Sequence, residues 1–207
     1  MRKAISKSDW KDGFLFVGNQ LALDFLNTRP VQNGEPSELL PDFSALLRWF
    51  QAAGVLNSWQ VDSLQRQWGG SADAQRITKA MRQLREKLRK EILDWEHSGS
   101  VQHSALDQLN KLMAEHSMRT RLRTNGKSYL TELWFEPREP EDLFAPLAHN
   151  TAILFANLDR KRIRKCARCV LHFYDTSKKG TRRWCSMQLC GNRLKVAAYA
   201  ARKRKHK

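Results

Sequence analysis

The segment Cys166-Ala-Arg-Cys169, followed after fifteen residues by Cys185-Ser-Met-Gln-Leu-Cys190-Gly-Asn-Arg193, decides how the C-terminal end of this chain folds. A C-x2-C pair forms a knuckle whose tight turn aims two sulfurs at one point. With a second cysteine pair it offers a zinc ion four soft ligands in a tetrahedron, a closed structural site with no open catalytic position. The intervening residues suit a short hairpin. Val170-Leu-His-Phe-Tyr174 reads as its first strand, Lys178-Lys-Gly180 as its turn and Arg182-Arg-Trp184 as the return to the metal. Asn192 reads as the N-cap of an alanine-rich helix. Knuckle, hairpin and a helix carrying the last ligand at its start make a treble-clef-like order. So small a module lacks apolar burial, and one bound zinc supplies its folding energy, on the order of 10 kcal/mol.

Other readings of these residues are weaker. A thioredoxin-like redox pair needs a βαβ frame and leaves the second cysteine pair unexplained. His172 lies on the expected strand beside an already complete ligand set and reads as a strand side chain. His97, His103, His116 and His149 have no matching partners and read as ordinary helix or loop residues.

The charge is polarised in the same way. The formal net charge of the 207 residues is +16. From Arg160 onward there are 17 Lys and Arg and one acid, Asp175, whereas residues 1–159 hold 20 bases and 20 acids. The whole excess therefore sits in the last 48 residues and implies a polyanion as partner. A tetrathiolate zinc site carries −2, which Arg164, Lys165 and Arg168 offset, but that does not account for sixteen charges. All four cysteines lie in this basic end, as expected for metal ligands in a reducing cytosol. Met1 to Trp10 has no apolar run of a secretory signal, and no stretch is apolar enough to span a membrane.

The neutral body reads as mainly helical. Phe14-Leu15-Phe16-Val17 suits a short strand. In Leu21-Ala-Leu-Asp-Phe-Leu-Asn-Thr28 the alternation of Leu21, Leu23 and Phe25 fits a strand, whereas the pairs Leu21/Phe25 and Ala22/Leu26 fit a helix capped by Asn19, the preferred reading. Asp42 caps a helix running to about Ala53, with Gly54 ending it, and Ser58 caps another that stops at Gly69-Gly70. Ser71 opens a helix of about five or six turns, on which Ile77, Met81, Leu84, Leu88, Ile92 and Trp95 form one stripe. A further helix covers 103–115. Asn125-Gly126, between two β-prone runs over 118–135, predicts a hairpin with a type I′ turn. Pro140 starts a last helix that ends near Asp159. Trp49, Trp59 and Trp95 fall at helical spacing among apolar residues and read as core.

The basic end resembles the CGNR zinc finger, which is named for the tetrapeptide standing here as Cys190-Gly-Asn-Arg193. The likeness extends to Asp175-Thr-Ser177, Arg182-Arg-Trp-Cys-Ser-Met187 and Lys195. The body resembles the ABATE domain that typically precedes this finger, through Leu21–Thr28, Asp42, Trp49 and Gly54. The resemblance implies a stress-induced bacterial transcription regulator, with the finger on DNA and the body as a sensor. The expected fold class is α+β: a mainly helical N-terminal domain over 1–158 with one β-hairpin, then a small treble-clef-like four-cysteine zinc finger over 159–207.

The expected roles follow from these readings. Cys166, Cys169, Cys185 and Cys190 hold one structural zinc. Lys178, Lys179, Arg182, Arg183, Arg193, Lys195, Arg202, Lys203 and Arg204 meet double-stranded DNA. Asp24, Asn27 and Thr28 either line a small-molecule pocket or staple neighbouring backbone, as Asx side chains do. One finger contacts little DNA, so a homodimer or a second DNA contact is expected. The protein is expected to be cytoplasmic and nucleoid-associated, with no membrane partner. The body shows no nucleophile–base constellation and no phosphate-cradling loop, so no enzyme is expected. The competing reading is an RNA-binding or ribosome-associated zinc protein.

Overall fold

In the computed structural model, which describes residues 9–32, 34–126 and 128–192, caps and turns punctuate the chain. Asp12 and Gly13, both at positive φ, reverse it between strands β1 (Trp10–Lys11) and β2 (Phe14–Leu15). Helix α1 (Leu21–Leu26) and the paired strands β3 (Val31–Gln32) and β4 (Glu35–Pro36) follow. The cap of α1 is Gln20, not Asn19. An N-cap needs extended backbone, whereas Asn19 sits at φ 59 and sends its Nδ2 to the Tyr174 carbonyl at 2.9 Å.

Helix α2 (Phe43–Ala52) starts at Asp42, whose side chain accepts from the Ala45 N–H, and Gly54 at φ 77 turns the chain after it. Helix α3 (Ser58–Trp68) is capped one residue before the expected Ser58. Asn57 and Gln60 form a reciprocal capping box, which satisfies two helix-end groups together. Helix α4 (Ala72–Ser98) is capped by Ser71 and has 27 residues, longer than expected. It continues past the end of its apolar stripe until Gly99 takes the left-handed conformation. All six stripe residues are buried. Helix α5 (His103–Glu115), the hairpin of β5 (Arg119–Asn125) and β6 (Ser128–Trp134), a 3-10 turn (Pro140–Leu143) and helix α6 (Phe144–Asn157) complete this part.

Three expectations change here. Asn125 pairs with Ser128, so the hairpin loop begins at Gly126 (φ 63), one residue later than an Asn-Gly centre. Trp49 and Trp95 are core, but Trp59 is 66% exposed, because α3 turns Gln60 and Leu64 inward instead. His116 has a partner, with Nδ1 3.2 Å from Asp142 Oδ1.

The chain then pairs β7 (Ile163–Lys165) with β8 (His172–Tyr174). Four two-stranded antiparallel pairs accompany the helices among the described residues. By packing, the described residues form two compact units: those of 40–160, and those of 9–39 together with 161–192. Chain order suggests a division at 158/159; packing instead groups the N-terminal segment with the finger.

Candidate metal centre

The first cysteine pair is presented by the β7–β8 turn. Ile163 pairs with Tyr174 and Lys165 with His172, and the Cys166 N–H donates to the Leu171 carbonyl at 2.9 Å. The expected hairpin between 170–174 and 182–184 does not form. The nearer strand Ile163-Arg-Lys165 takes β8 as partner, and residues 175–184 become a loop built on Asp175.

That buried carboxylate accepts from the Ser177 N–H at 2.9 Å and the Arg182 N–H at 2.8 Å. Burial alone would raise the pKa of Asp175, but these bonds and the Arg182 charge hold it below the ordinary value. Arg162 donates to the carbonyls of Asp175 and Ser177, and Arg164 to that of Gly180. Ala167 N–H to the Arg183 carbonyl, 2.9 Å, joins the knuckle to the approach of the second pair.

The second pair brackets a turn of π-helical form (Met187–Gly191). Ser186 caps it, accepting from the Gln188 and Leu189 N–H groups while its own hydroxyl donates to Asp9. Helical backbone therefore begins at Met187, directly after Ser186. Asn192 (φ −65, ψ −40) is already inside it and is not the expected N-cap. A Cβ on Gly191 would lie 2.6 Å from Met187 Sδ and 2.9 Å from Trp184 Nε1. Only glycine lets the indole lie this close to the chain beside Cys190.

The four thiols are free, and their sulfurs all lie within 4.8 Å of one another. Cys169 Sγ is 3.7 Å from Cys185 Sγ. A tetrahedron with metal–sulfur bonds of about 2.3 Å has edges of about 3.8 Å, so the spacing fits a tetrahedral metal. The thiols also oppose one another's ionisation. The hydrogen bond from Cys185 pulls Cys169 down to about 5. In return Cys185 is raised, and burial pushes Cys190 up to about 12. A cation at the centre would relieve that conflict. His172 is a buried strand side chain, as expected, and stands outside the cysteine group.

The N-terminal segment builds the walls. Leu15 and Val17 pack with Leu171, Phe173 and the buried cysteines, and Trp184 lies against this cluster. Tyr174 N–H donates to the Gly18 carbonyl at 2.8 Å. The Asn27 amide closes on both backbone groups of His172, its Nδ2 donating to the carbonyl at 2.8 Å and its Oδ1 accepting from the N–H at 2.9 Å. Asp24 Oδ1 accepts from the Gly18 N–H at 2.7 Å, and Thr28 donates to the Phe25 carbonyl. All three side chains are buried. For Asp24, Asn27 and Thr28 the geometry favours stapling over a ligand wall.

The basic residues divide. Lys178, Lys179 and Arg183 are exposed. Arg182 is half-buried: its Nε donates to the Trp184 carbonyl at 2.8 Å, and its guanidinium lies 4.7 Å from the Phe173 ring centre. Arg193, Lys195, Arg202, Lys203 and Arg204 lie outside the described residues. No helix among the described residues is long and apolar enough to cross a membrane.

Two family models match the chain. The CGNR zinc finger covers residues 162–203. The ABATE model, described as "Putative stress-induced transcription regulator", covers residues 19–157. A search of curated proteins finds no match. The ABATE match includes residues 19–39, which in three dimensions pack with the finger.

Proposed function

The chain belongs to the ABATE family and ends in a CGNR zinc finger, and on that premise we propose that it is a DNA-binding transcription regulator whose finger is organised by one structural zinc. The observation that carries this reading is the convergence of four sulfurs in the segment that holds all the excess charge and exposes Lys178, Lys179 and Arg183. Four thiolates favour Zn²⁺ over harder cations, and four protein ligands leave no position for a substrate. Zinc supplies folding energy and fixes the loop that carries the lysines. The description of the family model as a transcription regulator is in keeping with a closed site.

The role of the residues follows from their surroundings. Lys178, Lys179 and Arg183 meet phosphates, and the basic residues from Arg193 onward extend that contact. Arg182 supports the surface by bracing the loop. The helical unit serves as sensor. A second copy doubles the DNA contact, and the uncharged hairpin face is where it packs. Thr120, Leu122, Thr124, Tyr129, Thr131 and Leu133 share that face by register, with Leu122 68% and Tyr129 73% exposed. The protein acts in the cytoplasm at the nucleoid.

Metal analysis and salt-dependent titration test this reading. Purified protein should carry one zinc per chain and lose it when the four cysteines become serine. Affinity for duplex DNA should fall linearly on a log–log salt plot with a slope implying several phosphate contacts. A metal-free protein with an intact finger, or preference for RNA at every salt concentration, would overturn it.

A further inference from the structure

Helices α4, α5 and α6 surround a cleft of about 400 Å³ walled by Trp95, Leu106, Leu109, Met113 and Phe155. The volume lies in the range of small-molecule sites. Trp95 and Phe155 meet edge to face, ring centres 5.1 Å apart. A second cavity of about 20 Å³ shares Leu109 and Phe155 as walls and is also lined by Lys87, Glu91 and Gln108. That is room for one water-sized group.

Glu91 gives this pair of cavities its chemistry. Its side chain is 13% exposed. Oε2 is buried and has no hydrogen-bond partner in the protein, and the nearest approach of a cation, Lys90 Nζ, is 4.0 Å from the other oxygen. A buried carboxylate oxygen without a donor is costly, and such groups ordinarily have one. Glu91 and Trp95 stand four residues apart on α4, so the carboxylate and the indole share one face of the helix.

We propose that the helical unit binds a small hydrophobic amine. The apolar body occupies the 400 Å³ cleft, and the ammonium nitrogen enters the smaller cavity and donates to Glu91 Oε2. A carboxylate repels anions. A neutral hydroxyl meets the lone pair but leaves the charge uncompensated, whereas an ammonium does both. Aromatic walls favour a cation further. The internal rival is Lys87, which precedes Glu91 by one turn, but its side chain is exposed and remains hydrated in water. This inference gives the proposed sensing role a site and a chemical class, and rests on that reading only for its regulatory consequence.

Calorimetry on the full-length, zinc-loaded protein tests it in the absence of DNA. The probes are 2-phenylethylamine and tryptamine, with 2-phenylethanol and tryptophol as neutral counterparts. Each amine should bind once per chain, and each alcohol about tenfold or more weaker, the scale of a charge-assisted bond. Glu91→Gln should lower amine affinity about tenfold and leave the alcohols unchanged. Ala152→Phe, which fills the cleft, should abolish binding of all four while the thermal midpoint is kept. Lys87→Met should retain or strengthen amine binding. Equal affinity for amines and alcohols, indifference to Glu91→Gln, loss of amine binding in Lys87→Met, or no binding at millimolar amine would each overturn the proposal. Amine binding in a protein that ignores DNA would leave this site standing and sink the regulator reading alone.

Discussion

The Asn27 side chain holds both backbone groups of His172 at once, across 145 residues of sequence, with its carbonyl oxygen on the N–H and its amide on the carbonyl. It fills the place of a strand beside β8 and fastens the segment before the helical unit to the segment after it. The finger is therefore assembled from both ends of the described chain.

Asn27→Ala should lower stability by about 2–4 kcal/mol, because it removes two buried hydrogen bonds to the His172 backbone. Asn27→Asp keeps the acceptor and loses the donor, and should also be destabilising. Denaturant unfolding followed by tryptophan fluorescence measures this; a change under about 0.5 kcal/mol, typical of a surface site, would remove the staple.

Asp24 gives the stability a pH dependence. Burial raises its carboxyl from an ordinary 3.8 to about 7, against the hydrogen bonds from the Gly18 and Val17 backbone. The folded state holds a proton that the unfolded chain has lost. The stability from this group is complete below about pH 4 and is lost as pH rises through about 7. Asp24→Asn keeps an acceptor for Gly18. The stability of the zinc-loaded protein relative to this variant should decline between pH 5.5 and 7.5. A flat difference would show that Asp24 ionises normally.

A peptide of residues 159–207 should bind zinc yet lack the folded finger's cooperativity, since Leu15, Val17, Gly18 and Asn27 are missing from its walls. Joining residues 9–39 to it through a flexible linker should restore a sharp thermal transition and slow amide exchange at His172–Tyr174. Equal protection in both forms would contradict the packing.

Arg182 and its neighbours should separate in salt titrations of DNA binding. Alanine at Lys178, Lys179 or Arg183 should each reduce the log–log slope by roughly 0.9 and leave the thermal midpoint in place. Arg182→Ala should lower the midpoint, because its guanidinium braces Trp184 and Phe173. Unchanged stability in Arg182→Ala would return that residue to the contact surface.

The hairpin face should govern self-association. Leu122→Lys with Leu133→Lys places charge on a surface that has none and should convert dimers to monomers in sedimentation. Their exposure means folding stability should change by no more than about 0.5 kcal/mol. A wild-type monomer at all concentrations would end this reading.

Sequence alone determined the features set by near neighbours. The cysteine spacing marked the four-thiol cluster, the run of bases marked the end that carries the excess charge, and Asp42, Ser71 and Gly54 marked helix ends, because caps and knuckles act within about four residues. What tertiary structure decided involves partners that no local pattern specifies. β8 took Ile163–Lys165 as its strand partner instead of the later segment, and Arg182 turned inward onto Phe173 and Trp184. Asn27 became a fastener of the finger, and Asp24 a staple of the Gly18 backbone beside it, because the fold brings residues 9–39 against the finger. Glu91 reads in sequence as one more acid on a charged helix; only the packing of α5 and α6 over its face buries an oxygen without a donor. Local chemistry writes caps and ligand spacings into the chain, whereas burial and long-range pairing exist only once distant segments have met.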